Sequence, residues 1–299
     1  MHYCLLTDPA EAIMKRFAPY FMGLGIVLVL IQWLTNAVST DNFVYEVPKL
    51  AEISFFESRY LYLGLNLFTF VPVFILSFDK RVAFYKQWKH LWRGMLLVAI
   101  CFIVWDVSKS AMHVWGFNPR YLSGLYLYNL PIEEVLFFFT VPYATMFIYE
   151  CLNVYFEKDL FKAVERPLTI ILIVVFIICG FVYWSKTYTA TTFLITGFYF
   201  LYHMFKGRKK VRSRFYFAYL VGWLPFLLVD GALTGALQQE PVILYNPEEF
   251  LNLRIVSIPI EDSIYFIPLL LANVTLFERS RSKKAVRKKS SESLFAQAT

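Results

Sequence analysis

Of the 299 residues, 58% are apolar, 19% aromatic and only 17% charged, a balance that excludes an ordinary soluble domain. The formal charge of +7 would suit a nucleic-acid binder, but the basic residues stand between apolar runs, which excludes that class. Four scattered cysteines (Cys4, Cys101, Cys151, Cys179) make neither a disulfide framework nor a metal set.

Apolar stretches of about 18 or more residues fit the roughly 30 Å hydrocarbon core of a bilayer. The chain therefore reads as an all-α polytopic membrane protein of eight spans, at 18–38, 60–78, 92–108, 131–151, 167–185, 189–205, 215–232 and 258–277. The first, with Phe21–Leu34 as its apolar part, is either an uncleaved anchor or a signal peptide ending near Ala37-Val38-Ser39. The long segment before it favours the anchor, so 1–59 is expected to hold one span and an extracytoplasmic connection.

Spans 60–78, 92–108 and 131–151 form a three-helix unit within 60–166, and spans 189–205, 215–232 and 258–277 form a second within 189–278. Span 167–185, in the linker 167–188, returns the chain to its starting side. Both units then share one orientation, related by an axis along the membrane normal. Lysine and arginine test this count. The N-terminal segment, the connections 79–93, 152–166 and 206–214, and the tail after 278 hold 23 of the 29. The other side holds Lys49, Arg59, Lys109, Arg120, Lys186 and Arg254. The positive-inside rule then puts both termini in the cytoplasm, with the protein in the inner (plasma) membrane. The basic tail 279–299 reads as a flank resting on anionic lipid.

Two strings match in register: Pro131-Ile132-Glu133-Glu134-Val135-Leu136-Phe137-Phe138 and Pro259-Ile260-Glu261-Asp262-Ser263-Ile264-Tyr265-Phe266. Taken once, proline followed by acids is an ordinary helix start, because the missing N–H costs nothing there and the helix dipole favours negative charge. Taken twice with the same neighbours, it points to chemistry. Asp106 and Asp230 end their spans on the same side, so six carboxylates gather at one depth, three from each half. Ionisable groups at membrane depth are costly and mark functional sites. A carboxylic acid in a low-dielectric setting keeps its proton and can serve as a general acid. Glu150 and Glu278 lie about 25 Å away along their helices and read as interfacial ion pairs.

Aromatic side chains crowd the same end: Trp105, Trp115, Phe117, Phe137, Phe138, Phe139, Tyr143, Tyr265 and Phe266. The plain reading is core and interfacial belt. Aromatic faces also stabilise cations, and a proton donor in a dry aromatic lining suits protonation of a carbon–carbon double bond. No dinucleotide fingerprint and no P-loop is present. His2, His90, His113 and His203 show no clustered ligand spacing, so no metal is expected. Asn246-Pro247-Glu248-Glu249 is a lone acidic turn rather than one of a pair of magnesium motifs.

The string Asn129–Phe139 resembles the PxEE signature of the heterodimer-type lycopene cyclase family, in its form with two fused halves. Trp105-Asp106, Trp115-Gly116-Phe117-Asn118-Pro119, and Tyr60-Leu61-Tyr62-Leu63 with Asn66 carry the same resemblance. The second string, Pro259–Asp262, is similar to that of the partner subunit. The resemblance spans roughly 60–280, and the N-terminal span is an addition to the family's seven. It implies redox-neutral β-cyclisation of lycopene, first to γ-carotene and then to β-carotene, without a flavin or other cofactor. It implies catalytic roles for Glu133 and Glu134 first, then Glu261 and Asp262, with Asp106 and Asp230 in support. The substrate pocket would use Trp105, Trp115, Phe117, Phe137, Phe138, Tyr143, Tyr265 and Phe266. Expected partners are lycopene and membrane lipid, with no nucleic acid; self-association or contact with other carotenoid enzymes stays open. The rivals are a proton-coupled transporter, which predicts acids spread through the membrane depth, and a hydratase adding water to the same carbocation. A non-catalytic membrane subunit is disfavoured, because both halves keep their acids.

Overall fold

The computed structural model describes residues 9–35 and 42–298, with side chains described for 15–35 and 42–282. The candidate cleavage site Ala37-Val38-Ser39, His2, Cys4 and most side chains of the basic tail lie outside the described residues.

Among the described residues, eight α-helices follow the order of the eight spans expected from the sequence. They are α1 (Pro9–Thr35), α2 (Leu61–Leu76), α3 (Trp88–Ala111), α4 (Ile132–Tyr155), α5 (Glu165–Val182), α6 (Thr187–Lys206), α7 (Lys209–Leu233) and α8 (Ile260–Ala298). Six of them, all but α2 and α6, contain a stretch long and apolar enough to cross a membrane. Helix α2 has only 16 residues. Helix α6 interrupts its apolar run with Thr187, Thr189, Thr191, Thr192 and Thr196, all fully buried. It tolerates them because α1, α5 and α8 cover it, and the threonine hydroxyls can bond within the helix: Thr191 and Thr196 donate to the carbonyls of Thr187 and Thr192.

The internal repeat is visible in the packing. Helix α2 lies on α4 as α6 lies on α8, while α3 crosses to α8 as α7 crosses to α4. The two halves thus interleave around an axis between α4 and α8. Helix α5 leans on α6 and α7, and α1 covers the outer face of α6, where Gln32 Nε2 reaches Thr187 Oγ1 at 3.1 Å.

Each half enters its acid-bearing helix through a two-residue hairpin that apolar patterning does not reveal. Strand β2 (Tyr126–Leu127) pairs with β3 (Leu130–Pro131), and β5 (Arg254–Ile255) with β6 (Ile258–Pro259). Tyr128 and Val256 open the turns at φ +59°, a conformation typical of tight hairpin turns and unusual for these residue types. The amide of Ile132 donates to Leu125 O and that of Ile260 to Leu253 O, both at 2.9 Å. The hairpins therefore fix where α4 and α8 begin. Equivalent strands of the two halves, β1 (Trp115–Phe117) and β4 (Ile243–Tyr245), pair antiparallel with Gly116 opposite Leu244. Gly116 lets the Phe43 ring pack against the ribbon, since a Cβ there would come within 2.8 Å of the ring's tip and push it aside.

At the opposite end of the bundle, Arg281 holds both Glu150 (2.7 Å) and Glu278 (3.4 Å). There α5 and α7 are joined by the ion pair of Glu165 with Arg212.

Candidate active site

A cavity of about 50 Å³ lies between α3, α4, α7 and α8, against the β1–β4 ribbon. One carboxylate reaches it from each helix: Asp106 from α3, Glu134 from α4, Asp230 from α7 and Asp262 from α8. Each of the four is 5% exposed or less. Its other walls are Trp115, Phe117, Phe137, Phe226, Tyr265 and Ile243, with Tyr188 and Tyr245 turned toward the acids.

Phenols position two of the acids. The Tyr62 hydroxyl donates to Glu134 Oε2 at 2.6 Å. Asp262 accepts at both oxygens, from Tyr188 at Oδ1 and from Tyr245 at Oδ2 (2.8 Å). Asp230 faces Asp262. Asp106 Oδ2, Asp230 Oδ2 and the Tyr265 hydroxyl are buried with no hydrogen-bond partner among the described residues.

The neighbouring acids Glu133 and Glu261 do not line the cavity. Consecutive helical residues point about 100° apart, so only one of each pair can face it. Glu133 Oε1 instead accepts the Ser123 amide at 2.8 Å, and Glu261 Oε1 accepts the Leu251 amide at 2.8 Å and the Thr189 hydroxyl at 2.6 Å. Each amide lies ten residues upstream of its acid. These two carboxylates therefore tie down the chain that leads into the hairpins.

Of the expected pocket aromatics, Trp115, Phe117, Phe137 and Tyr265 line the cavity, whereas Trp105, Phe138, Tyr143 and Phe266 do not. Trp105 stands behind Tyr265 at 6.4 Å between ring centroids. Phe138 turns into the helix core against Phe102. Phe266 stacks behind the lining residue Phe226 at 4.7 Å. Tyr143, three turns along α4, shares hydrogen bonds with Ser77 (2.6 Å) and Trp88 (3.1 Å) instead.

The chain matches the family model described as lycopene cyclase over residues 59–152 and 185–280. It belongs to the lycopene cyclase family. No curated protein and no solved structure matches it. Membership makes the chain an enzyme acting on a carotenoid, carried by a multi-pass membrane fold with two repeats.

In this lycopene cyclase, no cation pairs directly with the four cavity carboxylates among the described residues. Two positive groups pack on aromatic rings close to the site. The Arg254 guanidinium lies over Phe250 at 4.8 Å and Tyr245 at 5.9 Å, and Lys109 Nζ lies 5.3 Å from the Trp105 ring. Burial, with Asp262 and Asp230 close by, pushes the Tyr245 phenol well above its usual range, so Tyr245 stays a hydrogen-bond donor. Burial likewise lowers Arg254 from its usual value. No three histidine, cysteine or acidic side chains are arranged for a metal ion among the described residues.

Sequence reasoning gave no site role to Tyr62, Tyr188, Tyr245, Phe226 or Ile243. A signal for the first two exists: Tyr62 and Tyr188 occupy the start of the first helix in each half, 126 residues apart. Glu249, read as part of an isolated acidic turn, caps α6 by accepting the Thr187 amide at 2.9 Å.

Proposed function

We propose that this lycopene cyclase is a β-cyclase that closes ψ-ends into β-ionone rings by proton-initiated, redox-neutral isomerisation. The observation that carries the reading is the convergence of four buried carboxyls, two from each half, on one aromatic-walled cavity. Glu134 donates a proton to C2 of the terminal double bond. Tyr62 holds its Oε2, which leaves Oε1 for the substrate. The C1 cation is attacked by the C5=C6 bond, which forms the C1–C6 bond and moves the charge to C5. Phe137, Phe226 and Tyr265 shield that cation from water and present π-faces to it. Loss of the C6 proton leaves the C5=C6 double bond and completes a β-ring. Mass is unchanged and no electrons leave the system, so the scheme calls on no redox cofactor.

A cavity of about 50 Å³ has room for a few waters. The basic bias of 23 residues in 29 supports an inner-membrane topology with both termini cytoplasmic and the cavity near the extracytoplasmic surface. The repeats are assigned to 60–166 and 189–278.

Pigment analysis of a lycopene-accumulating bacterial host expressing the full chain tests the reading. Conversion of lycopene to products of unchanged mass and shorter-wavelength absorption, with β-rings by NMR, is expected. A product heavier by one water would replace cyclisation with hydration. Unchanged lycopene, with the protein present in the membrane, would overturn the proposal.

A further inference from the structure

The two halves present their acids through different surroundings. By the repeat offset of 128 residues, Phe117 in the first half is the counterpart of Tyr245 in the second, and Tyr126 is the counterpart of Arg254, each in the equivalent strand position. Glu134 consequently accepts one phenol, from Tyr62, where its counterpart Asp262 accepts two, from Tyr188 and Tyr245. The second half also carries a cation behind its acid. Arg254 lies over the Tyr245 and Phe250 rings and is anchored by a hydrogen bond to Ser257 O.

We propose that this asymmetry divides the chemistry between the halves: Glu134 is the acid, Asp262 is the base, and Tyr245 and Arg254 are positioning residues that fix the base. The inference rests on the cyclase reading above and deepens it. A carboxylate that accepts one O–H donor at each oxygen is held in one orientation, and each oxygen keeps a second lone pair to take a proton. At the C5 cation, orientation decides the product. A base at C6 takes that proton and the C–H electron pair becomes C5=C6, a β-ring. A base displaced toward C4 gives C4=C5, an ε-ring, and one at the C5 methyl gives an exocyclic double bond, a γ-ring. In each case one proton enters at C2 and one leaves, so the isomerisation balances. Asp230 shares the cavity with Asp262 and Glu134 and is the carboxyl that would pass that proton back.

The test compares ring type, by chromatography and NMR, in the lycopene-accumulating host for three variants. Tyr245→Phe gives the second half the first half's residue and is expected to release part of its product with ε- or γ-rings. These carry a shorter conjugated system and absorb at shorter wavelength. Tyr62→Phe, which loosens the acid, is expected to slow cyclisation while every ring stays β. If Tyr245→Phe forms no ring at all, Arg254→Gln reads the same quantity from outside the cavity, with Arg254→Lys expected to restore the parental ring type. Only β-rings from Tyr245→Phe, or from Arg254→Gln in that second case, would overturn the proposal, as would mixed rings from Tyr62→Phe. Failure of the parent chain to cyclise would instead strike the cyclase reading itself.

Discussion

Glu133 and Glu134, adjacent on α4, serve different structures: Glu133 Oε1 holds the Ser123 amide at 2.8 Å, and Glu134 Oε2 takes the Tyr62 hydroxyl at 2.6 Å beside the cavity. Their glutamine variants should therefore separate. Glu134→Gln removes the transferable proton, and cyclisation should fall by at least ~100-fold with normal membrane levels. Glu133→Gln keeps an acceptor for Ser123, so most activity should remain, with a stability loss of about 1 kcal/mol. Initial rates per quantity of membrane-inserted protein decide between them. Equal losses in the two variants would sink the division.

The four carboxyls, two from each half, converge on one small cavity, so under the cyclase reading one end group reacts at a time. Bicyclic product then needs two visits, and the monocyclic carotenoid must leave or reverse between them. A time course with limiting enzyme should show monocyclic product rising before bicyclic product. Added lycopene should compete with the second ring closure. Bicyclic product appearing from the earliest time points, with no free monocyclic carotenoid, would require a second site.

Tyr265 carries a hydroxyl buried in the cavity wall with no hydrogen-bond partner among the described residues. An unsatisfied buried polar group costs about 1–3 kcal/mol, so Tyr265→Phe should leave the protein at least as stable. Its ring stays to shield the cation while the dipole facing the cavity is lost, and the rate should drop a few-fold. Thermal unfolding in detergent and initial rates check both halves of this prediction. A markedly less stable variant would mean the hydroxyl has a structural bond after all.

The helices and the repeat were legible because membrane spans write themselves as long apolar runs, and because Pro131 and Pro259 open matching strings. That Asp106, Glu134, Asp230 and Asp262 gather at one end of the bundle followed from counting residues along those spans. What each side chain faces was not legible. That depends on how each helix is rotated, which is set by its neighbours. On α4, one step of about 100° separates Phe137, on the cavity, from Phe138, in the core. The phenols that hold Glu134 and Asp262 come from 72, 74 and 17 residues away, a distance that local periodicity cannot bridge. Hairpins with strands of two residues are likewise too short to leave an alternating pattern.

The pair of Arg212 with Glu165 tests whether stability and chemistry occupy opposite ends of the bundle. Both side chains are buried, at 4% and 0% exposed, and Arg212 also donates to His203 O at 2.6 Å. Arg212 sits in the first turn of α7, and Asp230, near its other end, is about 27 Å along the same helix. Arg212→Met strands the Glu165 carboxylate and should cost about 3–5 kcal/mol, seen as a lower unfolding temperature and less protein in the membrane. Adding Glu165→Leu removes the stranded charge and should recover most of that loss. Activity per folded molecule should stay at the parental level in both, with β-rings throughout. A change in ring type or in specific activity would mean that the far end of α7 communicates with the cavity, and that the two ends are not independent.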